Sequence, residues 1–119
     1  MNSPRRVIAG GISLLIYALI TLLSSLPSGS LPSGVPDFIP HASEFFLLGF
    51  FFIQVFPAPG RRPIMAVALL LLAGLGLLDE WHQLFVPGRV FSLLDWLYDI
   101  SGALAGLAAF LVLSRHRNK

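Results

Sequence analysis

Four long apolar runs, from about Val7 to Ser25, Phe38 to Phe56, Ile64 to Gln83 and Leu93 to Ser114, constrain this chain more than anything else in it. An α-helix that crosses the hydrocarbon core of a bilayer uses about 20 residues, so four crossings take about 80 and leave only short connections. Lipid offers no hydrogen-bond partners, and each run must therefore satisfy its own backbone by becoming a helix. The chain has 119 residues, 55% hydrophobic and 12% charged, which fits a multi-pass membrane protein and not a soluble domain. The expected fold is all-α: four transmembrane helices in a compact bundle, forming one domain over residues 1–119.

The first run has a basic start (Arg5, Arg6) and small residues after it (Ser24, Ser25, Ser28), as a secretory signal would. Signal peptides carry an apolar region of about 7 to 15 residues, and this one is longer, so a retained helix is expected. The arginine pair lacks the rest of a twin-arginine export motif. Leu26 to Pro36 follows as a loop rich in Pro, Ser and Gly, with LPSG at Leu26 and again at Leu31, a matter of loop composition and not of a structural period. Pro57 to Pro63 is a turn holding two arginines, and Pro63 suits the first turn of the next helix. Val86-Pro87-Gly88-Arg89 has the proline and glycine of a type II turn.

The placement of charge then orders the bundle. Seven of the eight cations (Arg5, Arg6, Arg61, Arg62, Arg115, Arg117, Lys119) fall at the N-terminus, the second connection and the C-terminus. Four spans put those places on one side, and the positive-inside rule makes it the cytoplasm, with both termini there. The cations flank apolar runs and form no patch, so no nucleic-acid partner is expected despite a pI of about 9.7. Cysteine is absent, which excludes disulfide and thiol chemistry. All six carboxylates (Asp37, Glu44, Asp79, Glu80, Asp95, Asp99), with His41, His82, Gln83 and Arg89, gather at the other ends of spans two, three and four.

Helical geometry says which of these can meet. His41 and Glu44 share a face at i, i+3. Asp95, Asp99, Gly102 and Gly106 lie within about 60° of one another, a carboxylate-topped stripe floored by a Gly-xxx-Gly groove into which another helix can pack. Asp79, Glu80, His82 and Gln83 spread over roughly 160° at 100° per residue and cannot all face inward. Asp79, Glu80 and Gln83 form the preferred side, with His82 turned away. A carboxylate at mid-bilayer costs on the order of 2.5 to 3.5 kcal/mol on insertion scales, so the cluster calls for partners, water or a function.

Each feature also has a plainer explanation. Asp37 is a plausible N-cap of the second span, and Ser92-Leu93-Leu94-Asp95 fits a capping box, which would occupy Asp95; Asp99, a turn deeper, fits no cap. Trp81, Trp96 and Tyr98 suit interfacial anchors. Seven phenylalanines of the second span face lipid or fill the core. His41-x-x-Glu44 resembles a metal-ligand spacing of helical bundles, but one such pair is too few, and no metal or cofactor is expected. Arg89, alone on its side, suits either a clasp to an acid or an anionic ligand.

These residues together resemble a VanZ-like membrane protein. The resemblance rests on Asp37-x-x-x-His41-x-x-Glu44-Phe45 with Leu48-Gly49, on Glu80-x-x-Gln83-x-Phe85-x-Pro87-Gly88-Arg89, and on Asp95-x-x-x-Asp99-x-x-Gly102-x-x-x-Gly106. Phe38 stands where the family usually has lysine, and Asp99 where it has asparagine, which adds a charge. The resemblance implies a multi-pass protein of the bacterial cytoplasmic membrane, of the kind associated with low-level resistance to lipophilic glycopeptides, teicoplanin in particular. It implies no agreed reaction. Two functions follow from the residues. One is binding or modulation of an amphiphilic envelope ligand (a lipid headgroup, a lipid-linked cell-wall precursor or such a glycopeptide) through His41, Glu44, Asp79, Glu80, Gln83, Arg89, Asp95 and Asp99. The other is a small membrane hydrolase or transferase with His41 as base, Glu44 orienting it, Glu80 or Asp99 as acid and Arg89 steadying negative charge. A non-catalytic scaffold, as monomer or homo-oligomer, is the third alternative.

Overall fold

The computed structural model describes residues 3–26 and 34–119. Four helices follow one another: α1 (Ser3–Ser24), α2 (Phe38–Phe52), α3 (Arg62–Gln83) and α4 (Leu93–Arg117), with a single 3-10 turn at Ile53–Val55 and no strand among the described residues. Each helix, taking α2 with its 3-10 turn, is long and apolar enough to cross a membrane. The bundle measures 48 × 23 × 23 Å, and its long axis exceeds the roughly 30 Å of a bilayer's hydrocarbon. The twice-occurring LPSG falls largely outside the described residues.

Helix ends follow local chemistry. α1 begins at Ser3 and α4 runs to Arg117, both past the apolar runs, because long cationic side chains extend a helix into the interface without entering lipid. α2 gives way at Phe56, whose φ of −86° and ψ of 147° are the extended conformation that a following proline imposes. Pro63 occupies the first turn of α3, as expected. Asp37 precedes α2 but its side chain makes no capping hydrogen bond, so the expected cap is not formed. Gly88 has φ +77°, and the Arg89 N–H donates to the Val86 carbonyl over 3.1 Å, the geometry of a type II turn.

α2 and α4 form the most extensive helix pair. Gly102 and Gly106 of α4 lie against the α2 backbone at Ala42 and Phe46, and Gly49 of α2 lies against the α4 backbone at Ala103. A side chain at any of the three would meet main chain. The small-residue groove of α4 therefore receives α2. Beneath the crossing, Ile20, Phe45, Leu48, Leu72 and Ala103 form one buried cluster drawn from all four helices. A second, with Ile53, Ala68, Leu107 and Phe110, fills the opposite half. Of the phenylalanines, Phe45 is wholly buried, whereas Phe38 and Phe46 face outward.

Candidate functional site

Charge divides along the long axis. At one end Arg5 and Arg117 flank a shallow cavity with Gln54, and Arg6 Nε donates to the Val55 carbonyl over 2.8 Å. The carboxylates collect at the other end. Their centre is His41, set in the second turn of α2. Its Nδ1 lies 2.9 Å from Asp99 Oδ1 and 4.0 Å from Glu80 Oε1, and its Nε2 lies 3.6 Å from Asp95 Oδ2. One imidazole thus ties α2 to both α3 and α4.

The α4 N-terminus departs from the expected capping box. Ser92 Oγ does accept from the Asp95 N–H over 3.2 Å. The reciprocal bond, however, comes from another helix: Glu80 Oε2 of α3 accepts from the Ser92 N–H over 3.1 Å. Asp95 is thereby freed to face His41. Glu80 performs the capping that sequence spacing assigns to Asp95.

Asp79, Glu80, Gln83 and Asp99 are buried, no more than 3% exposed. Asp79 points to α1, where its Oδ2 accepts from Ser24 Oγ over 3.0 Å. His82 is hydrogen-bonded outside the His41 cluster, with its Nε2 2.9 Å from Ser25 Oγ. Above the buried acids lies a cavity of about 350 Å³ bordered by His41, Glu44, Gln83, Arg89 and Asp95, with Ser24 of α1 on its far wall. Arg89 also donates from Nε to the Leu26 carbonyl over 3.1 Å. The candidate residues on three separate spans therefore converge: Glu44, Gln83, Arg89 and Asp95 border the cavity with His41, and Glu80 and Asp99 meet the other side of the His41 ring without lining the cavity.

Sequence reasoning missed several contributors. Ser24, with Leu23, makes α1 a fourth wall, although it reads only as a small residue ending an apolar run. Gly76 sits against the Asp99 carboxyl group, where an added Cβ would come within 3.2 Å of Oδ2. Trp96, taken for an interfacial anchor, donates its indole N–H to the Ala73 carbonyl of α3 over 2.8 Å, locking α4 to α3 one turn from Asp99. Tyr17 does the same for α1, donating to the Leu75 carbonyl over 2.9 Å.

Among the described residues, two groups have the spacing of metal ligands: His41, Glu80 and Asp95 at the cavity, and the buried Asp79, Glu80 and Asp99, each with ligand atoms within 4.8 Å of one another. An apolar groove of about 720 Å³ runs along α1 and α3, lined by residues such as Leu14, Tyr17, Leu48, Leu71 and Leu75.

Four apolar helices and a polar cluster closed around one histidine define a multi-pass helical membrane protein with its acidic groups at one end of the bundle. The chain belongs to the VanZ/LLP1 family, whose sequence pattern matches residues 12–114. That match takes in all three motifs on which the resemblance rests, together with most of α1. No curated protein and no solved structure matches the chain.

Proposed function

We propose that the protein binds or modulates an amphiphilic ligand of the bacterial cell envelope, with the ligand's polar head in the cavity beside His41 and its apolar part against the helices. The ligand class is a lipid headgroup, a lipid-linked cell-wall precursor or a lipophilic glycopeptide such as teicoplanin. The observation that carries this reading is the 350 Å³ cavity, which sets a guanidinium, an imidazole and several carboxylates around one opening in an otherwise apolar bundle. Arg89 offers a planar fork to phosphate or carboxylate, and Glu44 and Asp95 accept from hydroxyl or amino groups. The apolar groove on α1 and α3 suits an acyl or prenyl chain. By the distribution of cations, the cavity faces away from the cytoplasm and both termini face into it, in the cytoplasmic membrane of a bacterium.

The test is binding of phosphatidylglycerol, a polyprenyl pyrophosphate and teicoplanin to purified protein. Arg89→Ala is expected to weaken binding of at least one of them, by about tenfold for a lost charge-assisted contact of 1.4 kcal/mol. Equal binding of all three by variant and wild type removes Arg89 from the site.

A second reading, a hydrolase or transferase acting on a lipid-linked substrate, draws on His41. With Nδ1 against Asp99 and Nε2 towards Asp95 and the cavity, the ring is oriented as a carboxylate orients a general base. Cells carrying His41→Ala or Glu80→Gln are then expected to accumulate a lipid or precursor that wild-type cells do not. Identical pools in all three strains remove the catalytic reading.

A further inference from the structure

We propose that Asp79, Glu80 and Asp99 form a binding site for one hard divalent cation, of the magnesium or manganese class, enclosed between α3 and α4 beneath the cavity. Oxygen atoms of the three carboxylates lie within 4.8 Å of one another. Around a common centre with oxygens at about 2.0 to 2.6 Å, ligand atoms stand roughly 3 to 5 Å apart, so small side-chain rotations close the site. An all-oxygen donor set selects a hard cation over zinc or copper.

Proximity of acids alone would not carry this inference; the state of their oxygens does. Each of the three residues is at most 2% exposed, and each has one buried oxygen with no hydrogen-bond partner: Asp79 Oδ1, Glu80 Oε1 and Asp99 Oδ2. The other oxygen of each carboxylate is held by a donor from a different part of the chain. Ser24 Oγ of α1 holds Asp79, the Ser92 N–H at the start of α4 holds Glu80, and the His41 ring of α2 holds Asp99. Such fixing of one oxygen while the other stays bare is how proteins orient carboxylate ligands towards a metal. A buried acceptor left without a partner costs about 1 to 3 kcal/mol, more for a charged group, and three in one place call for a shared electrophile. Charge gives the same answer. Three carboxylates in a low-dielectric interior carry more negative charge than one imidazole can offset, and a doubly charged ion makes up the difference. Glu80 belongs to both groupings, so the buried set shares one carboxylate with His41 and Asp95 at the cavity.

Manganese(II) is the probe, because its free concentration is read by electron paramagnetic resonance. Metal-stripped, folded protein in detergent is expected to take up one manganese ion per chain, displaced by excess magnesium. Asp99→Asn and Glu80→Gln, both checked for helix content, are expected to weaken uptake by at least about tenfold. Ser24→Ala, which only releases Asp79, is expected to weaken it by about tenfold, in line with losses when a ligand's supporting hydrogen bond is removed. His82→Ala is expected to change nothing. Two results overturn the site. If the stripped wild type takes up no manganese, the bare oxygens hold protons; if Asp99→Asn and Glu80→Gln bind as wild type does, the ion sits elsewhere.

Discussion

The two ends of the bundle meet the same difficulty, charge at the border of a membrane, in opposite ways. At the cationic end, Arg5, Arg61, Arg62, Arg115 and Arg117 are exposed, and the loop between α2 and α3 is short and turned back on itself. At the acidic end, Asp79, Glu80 and Asp99 are buried and knitted to α1, α2 and the start of α4. The difference follows from side-chain length. Arginine and lysine lay an apolar stem along the helix and lift their charge to the interface. Aspartate and glutamate have too short a stem to do so, and an acid set one turn inside a helix must find its partners there. The cationic end can therefore remain simple, whereas the acidic end has to be assembled from several helices at once.

This contrast can be broken by substitution, and the largest effect is expected at the helix crossing below the acids. Gly102→Leu drives a side chain into the α2 backbone at Ala42 and should destabilise the protein by about 3 kcal/mol or more, read as loss of helix on titration with SDS. Gly11→Leu on α1, where nothing lies within 4 Å of an added Cβ, serves as control and should stay within about 0.5 kcal/mol of wild type. Equal losses in the two variants would deny the crossing its role.

Next in size is Glu80→Ala, which strips the Ser92 N–H of its acceptor and leaves a buried gap. A loss of about 2 kcal/mol is expected in the same titration, against about 1 kcal/mol for Arg6→Ala at the other end, which loses one hydrogen bond to the Val55 carbonyl. A reversal of that order would mean that the acidic end is held by packing alone. Ser24→Ala should cost about 1 kcal/mol by freeing Asp79, and faster hydrogen exchange in the last turns of α1 and α3 would report it.

The smallest expected effect has the opposite sign. Ala58 in the cationic loop has φ +51°, a conformation that disfavours a side chain. Ala58→Gly should therefore raise the thermal midpoint slightly, by about 0.5 kcal/mol of stability. A lowered midpoint would show that the alanine methyl group, and not the backbone, holds that turn.

Much of the fold was legible because lipid restricts the options so severely. An apolar run of about 20 residues has one way to cross, and the middle of each span was never in question. The ends were less so, since α1 and α4 run on through residues that are polar but helix-compatible. In the site, His41, Glu80 and Asp99 could be placed together from topology and helical phase. Ser24 could not: a serine at the end of an apolar helix has the same appearance whether it meets an acid or water. Asp95 illustrates a sharper limit. Its spacing from Ser92 satisfies the capping box perfectly well, and only the approach of Glu80 from another helix reassigns that bond. The angular spread of α3 meant that its four polar residues could not all face one pocket, and His82 pairs with Ser25 instead of His41.

The hydrogen bond from the Ser92 N–H to Glu80 joins residues 12 positions apart, across the turn between α3 and α4. It latches the last two helices at their shared end, so any motion that parts α3 from α4 there bares the Glu80 carboxylate and the N–H of the α4 N-cap together.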